Sequence, residues 1–165
     1  MRSDVADLRQ ELENPGPRAT RAQRGAEWIR QARAYRWVGI YDVTPSEIAA
    51  IAWTGPTAPA FPRFPRSQGL SGAAVASGQP VVVQDVAADP RYLTAFGSTR
   101  AEAIFPIRAP GSGVIVGTLD VESDRRDAFT AEDVSFLQGC AAILVMLWEG
   151  SEDETPAHIM NPAHS

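Results

Sequence analysis

The sequence predicts an α+β fold: one central antiparallel sheet, N- and C-terminal helices packed on one face, and loops over a pocket on the other. Two observations predict the helices. Ala22, Ala26, Ile29 and Ala32 recur at helical spacing near the start, and the segment from Val134 to Trp148 is apolar around most of a helical circumference near the end. A third predicts the sheet, because the chain between them alternates short apolar runs with turn residues.

The elements follow in order. Asp4 to Glu13 reads as a short charged helix stopped by Pro15, Gly16 and Pro17. Thr20 with Gln23 reads as a capping box for a second helix reaching about Arg36. Trp37–Val43 and Ile48–Trp53 flank the turn residues Thr44, Pro45 and Ser46, a hairpin signal. The proline-rich run from Gly55 to Arg66 is expected to leave the sheet and cover it as a loop. A short helix over Gly72–Ala76 precedes a strand at Pro80–Asp85, and a loop occupies Ala87–Arg100. Ala103–Ile107 and Val114–Val121 form a second hairpin around Pro110–Gly113, with Pro106 implying an edge or a missing ladder bond. Thr130 caps the last helix, with Asp133 set well against its dipole. The division expected is an N-terminal arm at 1–18, a domain at 19–149 and a disordered acidic tail at 150–165.

Composition removes several function classes. The formal net charge is −5, from 15 basic and 20 acidic residues, so neither a nucleic acid nor a membrane surface is an expected partner. Every basic residue is arginine, which removes Schiff-base lysine chemistry. The apolar run Cys140–Trp148 is too short to span a bilayer, and the polar N-terminus has no secretory h-region, so the cytoplasm is the expected location. Cys140 is the single cysteine and forms no internal disulfide. His158 and His164 lie six apart in the tail without a cysteine partner, and no metal or other cofactor is assigned.

A series of short motifs carries a resemblance. Trp37–Tyr41, Ala60–Pro65, Gly69–Gly72, Val82–Val86, Glu102–Pro106 and Gly117–Ser123 follow one another in an order that resembles a GAF domain of the free methionine-(R)-sulfoxide reductase type. The resemblance spans Trp37 to Trp148. It implies cysteines in three places where this chain has Phe61, Ser71 and Ala95. Sulfoxide reduction by that route needs an attacking thiolate and a resolving thiol, so this chemistry is not expected here.

The candidate ligand-binding residues are Glu102, Asp120, Glu122, Tyr92 and Trp53. Asp120 and Glu122 are two apart in one strand and share a face, while Leu119 and Val121 share the other. Glu102 precedes the neighbouring strand and can reach the same face. The resemblance implies that these acids hold a ligand's amino group, and a buried ammonium does need carboxylates. The competing reading is that they are solvated or pair with Arg100, Arg108 or Arg125. Tyr92 stands where the family has a histidine. Burial area alone explains Trp28, Trp37, Tyr41 and Trp53 as core, and Trp53 is also a candidate pocket wall. Gly69-Leu-Ser-Gly72 fails as a hydrolase elbow, because Ala73 takes the fifth position and no strand precedes it. Ser71 then reads as a helix cap.

The expected function is a stand-alone, small-molecule-binding sensor or regulatory module for an amino-acid-like ligand, assembled as a homodimer through the helices at Ala22–Arg36 and Val134–Trp148. The alternative is a reductase-like enzyme with an altered active site. A third possibility is a structural dimer whose pocket is plugged by Phe61, Phe64 and Phe96.

Overall fold

The computed structural model describes residues 5–93 and 97–149. Its six strands are β1 (Trp37–Val43), β2 (Glu47–Thr54), β3 (Arg63–Pro65), β4 (Val81–Val83), β5 (Ala101–Arg108) and β6 (Ile115–Ser123). They form one sheet in the order β3-β2-β1-β6-β5-β4, and every neighbouring pair is antiparallel. The helices are α1 (Val5–Glu13), α2 (Arg18–Ala32), α3 (Gly69–Ser77) and α4 (Ala131–Leu144). The period-two alternation of the central strands sorts their side chains. Val38, Ile40, Ala103, Phe105, Leu119 and Val121 point into the main core with α1, α2 and α4. Trp37, Tyr41 and Ile104 face the other way, toward α3 and the loops.

Local signals fail where another constraint dominates. The second helix starts at Arg18, with Pro17 at its N-cap and no side-chain cap, so Thr20 does not cap it. Pro17 has φ −59, already helical, and its missing N–H costs nothing at that position. The helix stops at Ala32, short of Arg36. Ala34 takes φ 55, and Tyr35 N–H donates to the Arg30 carbonyl at 3.0 Å, the hydrogen bond of a left-handed C-terminal cap. That position normally signals itself by glycine.

The proline-rich segment does contribute to the sheet. Arg63–Pro65 pairs with β2 as an outer strand, with Phe64 opposite Ile48, and an outer strand tolerates the flanking prolines. Pro106 behaves as expected: β4 pairs only as far as Ile104, so β5 is locally an edge at Pro106. The strand expected over Pro80–Asp85 keeps only Val81–Val83. Gln84 leaves it and exchanges two hydrogen bonds with the Phe129 backbone, at 2.8 and 3.2 Å. The short helix begins three residues earlier than expected, which puts Ser71 inside α3 and not at its cap.

The N-terminal arm is a packed helix, with Leu8 and Leu12 fully buried against α2 and α4. Thr130 and Asp133 make the reciprocal capping box at the start of α4, and Asp133 also accepts from Tyr35 Oη and Arg33 Nε, both at 2.7 Å. With the turn that follows it, α4 covers Ala131–Trp148, 18 residues of mean hydropathy 1.4, long enough by length and composition alone to be a candidate span. Its apolarity has an account inside the chain. Leu137, Cys140 and Leu144 face the core, Phe136 packs on Trp28, and Gly139 lies against Val5. Ala131, Glu132, Ser135, Gln138 and Ala142 are exposed, while Val134, Phe136, Val145, Met146 and Trp148 are partly buried. The turn that follows α4 is clasped: Asp42 accepts two hydrogen bonds from Arg18 and a third from Trp148 Nε1 at 2.8 Å.

Candidate functional site

The register of β1, β6 and β5 gathers the acids. Glu102 stands directly opposite Glu122, and Asp120 lies between Gly39 and Ile104 in the same face. All three are buried, at 7%, 4% and 4% exposure for Glu102, Asp120 and Glu122. Two ionised carboxylates directly opposite in a sheet destabilise it, and here a hydrogen bond between Glu102 and Glu122 relieves that repulsion. None of the three makes an ion pair among the described residues. Arg108 instead donates to the Gly78 and Gly113 carbonyls, away from the acids.

Neutral hydroxyls reach the cluster. Ser71 Oγ donates to Asp120 Oδ2 at 3.0 Å, and Thr99 Oγ1 donates to Glu122 Oε1 at 2.5 Å. Beside Ser71, Gly72 lets the first turn of α3 fold back on the chain that enters it, since a Cβ there would lie 2.5 Å from the Ser67 carbonyl carbon. Among the described residues Asp120 Oδ1 is fully buried and meets no donor at hydrogen-bonding geometry, and Thr118 Oγ1 is likewise buried without a partner.

Burial pushes the Asp120 carboxyl up to about 7, with the Ser71 and Thr118 hydroxyls pulling the other way and Glu122 adding to the rise. Glu102 is raised well above the ordinary carboxylate range, by burial first and then by Glu122 and Asp120. Glu122 is raised by burial, opposed by Thr99. Glu102 and Glu122, directly opposite each other, titrate together. Tyr41, on the same face, is held well above its ordinary value by burial and by the three acids.

The acids line a cavity of about 30 Å³ closed by Tyr41, Phe61, Phe64, Leu70, Ser71 and Leu93. That is about one water's share of liquid volume. Phe61 is 43% exposed at its mouth, while Phe64 packs edge-on against Tyr41 with ring centroids 6.1 Å apart. Glu122 also lines a second cavity of about 210 Å³, shared with Thr99, Ser98, Thr57 and Arg36.

Two candidate residues fall outside the carboxylate cavity. Trp53 is half-buried and packs on the Trp37–Tyr41 cluster, and Tyr92 packs on Leu70, Ala74 and Ile104. Leu93, next along, lines the cavity instead. Sequence reasoning missed Thr99, Arg36 and the inward role of Ser71. Tyr41 was legible, since alternation from Trp37 puts it on the acidic face. Ala95, Phe96, His158 and His164 lie outside the described residues.

Cys140 is on the far side of the sheet. It is fully buried in the core beneath α4, and burial pushes its thiol up to about 12. The acids and the thiol therefore face opposite layers.

Similarity to known proteins agrees with this geometry. The chain is 30% identical over 110 residues to GAF domain-containing protein A of Dictyostelium discoideum, covering 66% of this chain and 67% of that protein. The structure of free methionine-R-sulfoxide reductase from Neisseria meningitidis in complex with its substrate superposes with a TM-score of 0.81 at 27% identity, covering 91% of this chain and 89% of that one. A type II free methionine-R-sulfoxide reductase from Thermoplasma acidophilum gives 0.73, also at 27% identity, over 86% of this chain and 94% of that one. The family model for the GAF domain matches residues 17–146, most of the sequence, and the chain belongs to the GAF domain family.

Proposed function

We propose that this protein is a cytoplasmic ligand-binding regulatory module that takes a small amino-acid-like molecule, its ammonium group held by Glu102, Asp120 and Glu122. GAF domains bind small-molecule ligands, which supports the coarser part of this reading. The observation that carries the finer part is the set of three buried carboxylates without a cation, one of them with an unpartnered oxygen. An ammonium supplies the missing charge and three donors, each charge-assisted hydrogen bond being worth about 1.5–3 kcal/mol before desolvation. A phosphate brought to the same face meets like charge. The cavity at the acids is small, so a ligand extends into the larger space past Glu122 or displaces Phe61.

The test is calorimetry against the common free amino acids, methionine sulfoxide and cyclic nucleotides. Amino-acid or sulfoxide binding is expected, and the double substitution Asp120→Asn, Glu122→Gln is expected to weaken it at least tenfold with the fold intact. Tight cyclic-nucleotide binding, or amino-acid binding indifferent to the double variant, overturns the reading.

The second reading is an enzyme related to the sulfoxide reductases, favoured by the 27% identity to two of them. Against it stand Ser71 and Phe61 at two cysteine positions and a thiol buried behind the sheet. A thiol titrating near 12 is about one part in 10⁵ thiolate at pH 7. No reduction of free methionine-(R)-sulfoxide with thioredoxin or dithiothreitol is expected. Turnover in a coupled assay that disappears in Cys140→Ser would reverse this conclusion.

A further inference from the structure

We propose that Arg36 binds the carboxylate of the ligand, so that the cavity beside the acids recognises a zwitterion at both ends; this rests on the amino-acid-like reading above. Arg36 and Glu122 both line the second cavity, of about 210 Å³. It exceeds the roughly 150 Å³ void that holds a benzene molecule. Its walls therefore present a cation and an anion in one space large enough for a small organic ion, with no ion pair between them. Arg36 is instead paired with Asp124 at 3.6 Å, where the two side chains are 40% and 51% exposed. A loose, solvated pair of that kind is worth little, so Arg36 is available for a better partner. The guanidinium fork matches a carboxylate with two parallel hydrogen bonds. Thr57, Ser98 and Thr99 line the same cavity.

The cavities share lining residues. Arg36 and Pro56 line both this cavity and an open groove of about 740 Å³ that carries Arg30, Arg33 and Arg125 together with Asp124, Asp127 and Asp133. Glu122 lines both this cavity and the inner one with Glu102 and Asp120. The inner cavity is lined by three carboxylates, and Arg36 is the cation among the residues that line the cavity beside it. A zwitterion bound across the two places its ammonium at the acids and its carboxylate on Arg36. A simple amine gains only the inner half.

The test titrates free methionine sulfoxide, and the same compound with its carboxylate capped as an amide, into wild type, Arg36→Gln and Arg36→Lys. Wild type is expected to bind the acid at least tenfold more tightly than the amide. Arg36→Gln is expected to lose tenfold or more for the acid and less than threefold for the amide, with Arg36→Lys between them. Circular dichroism of each variant checks the fold. Equal losses for acid and amide in both variants, or no loss for either ligand, overturn the assignment of Arg36 while leaving the acidic site standing. Failure of wild type to bind either compound overturns both readings.

Discussion

Asp120→Asn is expected to make the ligand-free protein more stable at pH 8, by about 1–3 kcal/mol, although it removes a hydrogen-bonded buried group. Asp120 is 4% exposed and titrates at about 7 in the folded chain. The unfolded value is about 3.9. A raised carboxyl means that the folded state holds more protons than the unfolded state between pH 4 and 7. Stability is then fully present below the unfolded value and is lost as pH rises through the folded one. The rise from about 3.9 to about 7 corresponds to about 4 kcal/mol as an upper bound, from which the lost charge-assisted bond to Ser71 must be subtracted. Glu102 and Glu122 are shifted in the same direction, so wild-type melting temperature should fall from pH 4.5 to 8, and less steeply in the variant. At about 2–4 °C per kcal/mol for a chain of this size, Asp120→Asn should gain roughly 2–10 °C at pH 8 and little at pH 4.5. Thermal melts across that range decide it. A variant that melts below wild type at pH 8, or a difference that does not change with pH, means that the cluster is not a buried-charge burden.

Gly72→Ala is expected to destabilise by about 2–4 kcal/mol, against the sign that helix propensity gives. Alanine in a helix interior is favoured over glycine by roughly 1 kcal/mol. At Gly72, however, a Cβ would sit 2.5 Å from the Ser67 carbonyl carbon and 2.7 Å from its oxygen, both backbone atoms held by the turn from β3 into α3. Something rigid must move, and overpacking of this kind costs more than the propensity gain. Gly139 in α4 is the internal control, because its Cβ would meet only Val5 Cγ1 at 3.6 Å. Gly139→Ala should therefore be neutral or stabilising by up to about 1 kcal/mol. Denaturant unfolding of the two variants gives the comparison. Equal effects would mean that the close approach of Gly72 to Ser67 is not a constraint. Because Ser71 is the neighbour of Gly72, a shift of that turn also moves the hydroxyl that donates to Asp120.

What the sequence made legible was periodic or local. Alternation placed Asp120 and Glu122 on one face and Leu119 and Val121 on the other, and the Thr130–Asp133 cap formed as its residue types require. What it concealed depended on partners distant in the chain. Arg63–Pro65 has no strand signal of its own and pairs because β2 offers a free edge. Ala34 ends α2 in a conformation that its side chain disfavours, so no glycine marked the stop. The apolar circumference of α4 suggested a second subunit because α1, a short charged helix, gave no sign of burying Leu8 and Leu12 against it. Arg36 was one arginine among 15 until the fold brought it to the same cavity as Glu122.

The seclusion of Cys140 gives the protein an internal gauge. The chain has one sulfhydryl, fully buried on the layer opposite the acids and scarcely ionised at neutral pH. A thiol reagent can reach it only when the helix layer parts from the sheet, so its labelling rate counts core openings and is not blocked directly by whatever occupies the pocket. Any molecule that binds the closed form alone slows those openings by the factor 1 + [L]/Kd. The same buried residue can thus register an unknown ligand from behind the sheet, without a guess at what the ligand is.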